Sequence, residues 1–259
     1  MTGWLDPVRA ALDARVAPVD VFCRDDDAGW RDDRLARLLE LSAGLGLPLD
    51  LAVIPAELTD QRAAWLLARR RAHPAPLGLH QHGWAHHNHE PSGRTCEFGP
   101  ARSVEQLAAD VRRGRAVMQR LLGPAVDPIF TPPWNRAVPA LAPCLVAAGL
   151  TVLSREATAE PWRSPGLSEC SPHADWSSRT RGAAGGLEAF AVRCARRLAD
   201  GATFGLLLHH AVMDDADVAR VGELLGLLAG HPMARAVSML AAAAVSDRAG
   251  ACGPREATA

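Results

Sequence analysis

The chain has 259 residues, 48% of them hydrophobic, with 28 basic and 29 acidic side chains and a net charge of -1. That length suits one α/β barrel-sized domain with a substantial core better than two smaller domains. The near-cancellation of charge removes the electrostatic argument for nucleic acid or an anionic membrane surface as the main partner, which leaves a small or neutral substrate.

All the basic residues are Arg and Tyr is absent, a coding bias that lowers the weight of any single Arg. Residues 1–19 include Trp4, Asp6, Arg9, Asp13 and Arg15, so they lack the apolar run of a signal peptide. No later segment reaches the ~18 uninterrupted apolar residues of a membrane span, and the expectation is a cytoplasmic protein. The six cysteines are scattered with no CxxC pair, which points to reduced, mostly buried thiols.

Apolar patterning predicts alternating strands and helices. Residues 19–23 form a buried strand that ends in a cluster of charge, and 34–45 a helix stopped by Gly44 and Gly46. A strand at 49–54, a helix at 59–71 capped by Thr59 or Asp60, and a strand at 77–80 follow. After a long loop, Ser103 and Gln106 resemble a capping box for a helix to about Leu122. Strands at 128–130 and 150–154 flank a short helix at 139–148. A helix at 186–199, a strand at 204–208 and helices at 215–228 and 233–246 complete the pattern. The expectation is a single domain over 1–246, with a disordered tail at 247–259. Strands separated by helices argue for parallel βαβ units and a barrel of mostly parallel strands, complete or distorted.

In such a barrel the loops at the C-terminal ends of the strands build the active site. Four polar clusters fall there, at 24–27, 80–89, 131–136 and 209–210. Asp25, Asp26 and Asp27 would repel one another at a buried strand end unless a cation or an Arg offsets them. His82 and His86 have a spacing that can bring two imidazoles to one ion, and an Asp with two His leaves positions open for water and substrate. His80, His87 and His89 compete for that role. One of His209 and His210 should emerge from its strand into the cleft as an acid or base.

The ordered set Arg24-Asp-Asp-Asp27, His82-Gly-Trp-Ala-His86, Phe130-Thr-Pro-Pro-Trp-Asn135, His173-Ala-Asp-Trp176 and Leu206-Leu-Leu-His-His210 resembles the five motifs of the polysaccharide deacetylase (NodB-homology) family, across about residues 19–212. The resemblance implies a distorted parallel (β/α) barrel, related to the TIM barrel, that removes an acetyl group from an N- or O-acetylated sugar or glycoconjugate. It implies one divalent metal ion, zinc first, with cobalt, nickel or iron as alternatives, on Asp27, His82 and His86. Asp26 then matches the general base, His209 the general acid and Asp175 the carboxylate that tunes it, while Trp134 stands where a backbone N–H binds the oxyanion. A register one residue earlier, on Asp25 and Asp26, is the alternative. Trp84, Pro133, Asn135 and His210 are expected against substrate, and Glu97 either reaches substrate or makes a surface ion pair. Trp84, Trp134, Trp162 and Trp176 could stack on sugar or pack in the core.

Three positions depart from the family pattern. Thr131 stands where an Arg usually orients the base, leaving Arg24 or Arg136 to substitute. Gly83 replaces a Ser or Thr, and His210 a common Asp. Hydrolysis of another amide or a cyclic imide on the same barrel, or a non-catalytic carbohydrate-binding relative, are the competing readings.

Overall fold

The computed structural model describes residues 3–180 and 186–251. Its elements in chain order are α1 (Asp6–Asp13), β1 (Val19–Ala28), α2 (Asp32–Gly44), β2 (Leu49–Val53), α3 (Asp60–Ala72), β3 (Leu77–His82), α4 (Val104–Leu122), β4 (Val126–Thr131) and α5 (Ala142–Ala147). They continue with β5 (Val152–Leu153), β6 (Ser168–Glu169), β7 (Ala174–Asp175), α6 (Leu187–Asp200), β8 (Thr203–Leu208), α7 (Asp215–Gly230), β9 (Ala234–Ala236) and α8 (Met239–Ala251).

The sheet runs β6-β5-β4-β3-β2-β1-β8-β7, and every pairing in it is parallel. It curls into a half-barrel that stays open between β6 and β7, the distorted form of the expected (β/α) barrel. β9 pairs with the start of β1, at 19–21, on the edge that β2 takes from Arg24 onward. No described helix is long and apolar enough to cross a membrane.

Local chemistry explains the element ends. Thr59 caps α3 by accepting the Arg62 N–H, and Ser103 with Gln106 forms the reciprocal capping box of α4. Parallel strands covered on both faces read as continuous apolar runs, and all ten residues of β1 are buried, its charged ones included. The main core lies between sheet and helices, with Leu35, Leu38 and Leu39 of α2 against Leu49, Leu51 and Val53 of β2. A second cluster fills the barrel interior, where Phe22, Ile129 and Val152 meet Met239, Ala242 and Ala243 of α8. A Cβ on Gly205 would lie 2.2 Å from the Phe22 ring, so only glycine fits opposite that ring.

Several elements differ from the sequence reading. β1 extends through the acidic run to Ala28, and β3 through His82. Residues 234–236 are strand β9 rather than the start of a helix, because their backbone is recruited by the exposed edge of β1. The last helix runs to Ala251, so 247–251 are helical, while 252–259 lie outside the described residues. The two-residue strands β6 and β7 are too short to give a periodic signal, and the eight-residue α1, with only Val8 and Leu12 buried, is absent from the sequence reading.

Candidate metal centre and active site

In a regular strand, consecutive side chains point to opposite faces, so two adjacent aspartates cannot serve one site without a break in register. β1 supplies that break. Its register with β2 slips between Asp25 and Ala28, and Asp27 takes φ 69°, a bulge that re-aims the side chain. Asp27 Oδ1 lies 3.3 Å from His82 Nε2 and 3.2 Å from His86 Nε2, and the three ligand atoms fall within 4.8 Å of one another.

His82 and its carboxylate partner are buried, and neither His82 Nε2 nor Asp27 Oδ1 has a hydrogen-bond partner. His82 Nδ1 donates to the Thr131 carbonyl at 3.1 Å. With Nδ1 fixed as the donor, Nε2 is the atom left to take a proton or a cation, the arrangement that metal-binding imidazoles use. His86 has φ 57°, and its ring sits between Trp30 and Trp134, with centroids at 4.8 and 4.4 Å. Burial opposes the charge on Asp27, but contacts with His82 and His86 outweigh it and hold the carboxyl well below its ordinary range. An anionic oxygen and two imidazoles with two unpartnered buried atoms fit a divalent cation of zinc, cobalt, nickel or iron type.

Asp26 points to the other side of the site. Its carboxylate meets Arg24 twice, Oδ1 to Nε at 2.9 Å and Oδ2 to Nη2 at 3.0 Å, with both side chains buried. Arg24 in turn donates to Ser154 Oγ at 2.6 Å and to Asn135 Oδ1. The arginine absent from position 131 is therefore supplied two residues before the aspartate, on the same face of β1. Arg136 instead donates to the Thr95 carbonyl at 3.0 Å. Burial raises the Asp26 pKa, yet Arg24, His82 and His209 together hold it below the ordinary value. Thr131 uses its hydroxyl on His80 Nε2 at 3.0 Å, and burial with the Arg24 charge lowers the His80 pKa to about 3. His80 is thus a neutral support beneath the site.

His209 follows β8, partly exposed. Its Nε2 lies 3.9 Å from Asp26 Oδ2 and its Nδ1 3.8 Å from Asp175 Oδ1. Asp175 is oriented by Ser177, whose N–H and O–H donate to its two oxygens at 2.8 Å each.

No family model matches the sequence, and no curated protein matches it. Solved structures do match. A Mycobacterium smegmatis protein assigned as a polysaccharide deacetylase superposes with a TM-score of 0.64 at 14% identity, covering 95% of this chain and 96% of that one. The family 4 acetyl xylan esterase from Clostridium thermocellum, solved with a cobalt ion, gives 0.55 at 16% identity over 88% and 92%. A CE4 esterase from Streptococcus mutans gives 0.54 at 15% over 85% of each chain. This chain has the polysaccharide deacetylase (NodB-homology) fold.

Within the deacetylase fold, the remaining predicted residues divide. Trp134 and Asn135 occupy a left-handed turn after β4, at φ 55° and 59°. With His209 and Asp175 they line one cleft of about 570 Å³, within the usual range for small-ligand sites. Non-glycine residues at positive φ are strained, and four of the five described, Asp27, His86, Trp134 and Asn135, lie here, as strain retained for function does.

His210 is placed elsewhere than expected. It is buried, with its backbone N–H and Nδ1 on Asp25 at 2.9 and 2.5 Å and its Nε2 on the Trp30 carbonyl at 2.8 Å, so no ring nitrogen is left for substrate. Asp25 is thereby occupied, and the pair beside the histidines is Asp26 and Asp27.

Glu97 is neither surface ion pair nor substrate contact. Fully buried, it accepts the N–H groups of Trp84 at 3.1 Å, Ala85 at 2.8 Å and His87 at 3.4 Å, bracing the loop that carries His86. Gly83 is required there. It has φ +55°, and a Cβ would lie 2.2 Å from Glu97 Oε2 and 2.5 Å from Pro133, which places Pro133 against this loop.

Trp84 is half-buried under the Arg113 guanidinium, 4.1 Å from its ring, and Trp162 under Arg155 at 4.6 Å. Trp176 is buried on Phe190. These three are packing residues. His87 and His89 are exposed on the loop, outside the triad. Trp30 and Ser154, which hold His86 and Arg24, carry no sequence signal of their own.

Proposed function

We propose that this chain is a member of the polysaccharide deacetylase family, a metal-dependent hydrolase that removes an acetyl group from an N- or O-acetylated sugar or glycoconjugate. The observation that carries this reading is the convergence of Asp27, His82 and His86 beside an arginine-held Asp26 and an Asp175-flanked His209.

Asp27, His82 and His86 would hold the cation. When bound, such an ion supplies Lewis acidity, lowering the pKa of water toward about 7 and polarising an acyl carbonyl. Asp26, kept ionised by Arg24, accepts the proton of the attacking water. The Trp134 N–H, set by its left-handed turn, donates to the oxygen that gains charge. His209, flanked by Asp26 and Asp175, donates a proton to the departing amine or alkoxide. The feature that favoured a non-catalytic relative was the missing arginine at Thr131, and Arg24 supplies that contact.

The test is elemental analysis together with acetate release from a panel of N- and O-acetylated sugars. The expected result is about one zinc, cobalt, nickel or iron per chain and measurable release, both lost in the Asp27→Ala, His82→Ala double variant. A metal-loaded native protein that releases no acetate from any of them would overturn the reading.

A further inference from the structure

The cleft that holds His209 is more cationic than the reaction needs. Its lining includes three guanidinium groups, Arg94, Arg136 and Arg193, against two carboxylates, Glu156 and Asp175. Both carboxylates are engaged: Glu156 faces Arg94 at 3.5 Å, and Asp175 accepts twice from Ser177. Asp26, 3.9 Å from His209, is already paired by Arg24.

Arg193 stands out among the three. It projects from α6, and among the described residues its polar contacts are to Ser178, 3.5 Å to the carbonyl and 3.4 Å to the hydroxyl. No described carboxylate lies within ion-pair distance of it. Bonds of that length to neutral acceptors are weak, and a carboxylate or phosphate would replace them with shorter, charge-assisted and bidentate ones. The chain as a whole is near neutral, so this excess is local to the cleft rather than a reflection of composition.

We propose that the cleft selects an anionic sugar, one bearing a phosphate or carboxylate that Arg193 engages while the acetyl group lies at His209. The proposal rests on the deacetylase reading for the position of the acetyl group. The cleft's charge favours an acidic sugar over a neutral one, because a guanidinium without an anion adds nothing to neutral-chain binding.

Two measurements on the metal-loaded full chain separate this proposal from the reading beneath it. The first is calorimetric binding of glucose phosphate, glucuronate and glucose, none of which can be deacetylated. The expected result is that at least one acid binds roughly tenfold or more tighter than glucose. That preference should weaken as salt rises and shrink about tenfold in Arg193→Gln, and the two acids tell phosphate from carboxylate. Equal or undetectable binding of all three, or a preference unchanged in Arg193→Gln, would overturn it. The second is acetate release from N-acetylglucosamine phosphate, N-acetylmuramic acid and diacetylchitobiose. Faster release from an acidic substrate, with kcat/KM for it falling more in Arg193→Gln than for chitobiose, supports both statements. Release that favours chitobiose would overturn the anionic proposal alone. No release from any, with anion-selective binding intact, would overturn the deacetylase reading alone.

Discussion

Replacing Arg24 by Met tests whether Asp26, proposed as the base, is held by its neighbour or merely adjacent to it. Arg24 is fully buried and satisfies Asp26 through two contacts, with Ser154 and Asn135 taking further donors. Met keeps much of the volume but leaves a buried carboxylate unpaired, which costs about 3–5 kcal/mol. For a chain of this size each kcal/mol lowers Tm by roughly 2–4 °C, so a fall of about 10 °C in a thermal scan is expected. Displacing a catalytic group by about 1 Å can cost on the order of 100-fold in rate, and acetate release at a temperature where the variant stays folded should fall by that much. Arg24→Lys should lie between, because a single ammonium can meet Asp26 but cannot also reach Asn135 and Ser154 in the same geometry. Returning a guanidinium to the β4 end, as Arg24→Thr with Thr131→Arg, should recover part of the lost rate. An Arg24→Met protein with native Tm and native acetate release would refute the assignment of Arg24 as the residue that positions Asp26.

Three further outcomes follow from the same geometry. Removing the Glu97 carboxylate, as Glu97→Ala, leaves the N–H groups of Trp84 and Ala85 without their acceptor and should weaken metal affinity roughly 10–100-fold, read by competition with a chelator. Burial lowers the His210 pKa but the Asp25 charge more than offsets it, pushing it up to about 9. That pair stabilises fully below the unfolded value near 6.5 and loses its contribution, about 3 kcal/mol, as pH rises through about 9; Tm should therefore fall between pH 7 and 9, and His210→Gln should flatten that slope. Asp50 is pushed up to about 7, chiefly by burial, while its Oδ2 accepts the Met239 N–H at the start of α8. A carboxyl raised in this way favours the fold when protonated and loses that contribution as pH rises from about 4 to about 7. Asp50→Asn keeps the acceptor without the charge and should stabilise the fold at pH 8 by about 4 kcal/mol, read as a higher Tm, with little change at pH 4.

What the sequence made legible was what repeats or clusters. The apolar period of α2 and the capping box of α4 come from interactions within one turn of chain, so they survive any fold. The polar groups at the ends of β1, β3, β4 and β8 were visible because a buried parallel strand leaves little other room for charge. Three things were hidden. β9 has no period, since three residues join a sheet only because β1 exposes an edge. Glu97 reads as a loop residue until Trp84, Ala85 and His87 turn their N–H groups toward it. Arg24 and Arg136 were equivalent candidates on paper, and only the pleat of β1, which puts residues 24 and 26 on one face, decides between them.

The acidic run shows how a strand's geometry divides chemically identical residues. Alternation sends Asp26 inward with Arg24 and leaves Asp25 to the opposite side, where it meets His210. Unbroken alternation would also send Asp27 to the side of Asp25, away from the histidines. The register slip and the left-handed φ at Asp27 cancel that step, at a conformational cost of order 1–3 kcal/mol for a non-glycine residue. Such a cost persists only where the surroundings over-determine the conformation, and here the surroundings are two imidazoles whose Nε2 atoms converge on one carboxylate oxygen. One carboxylate thus anchors β8 to β1, the next is held ionised by arginine, and the third is turned to face the histidines. Backbone conformation is what distinguishes the three aspartates, because side-chain identity is the same at all three positions.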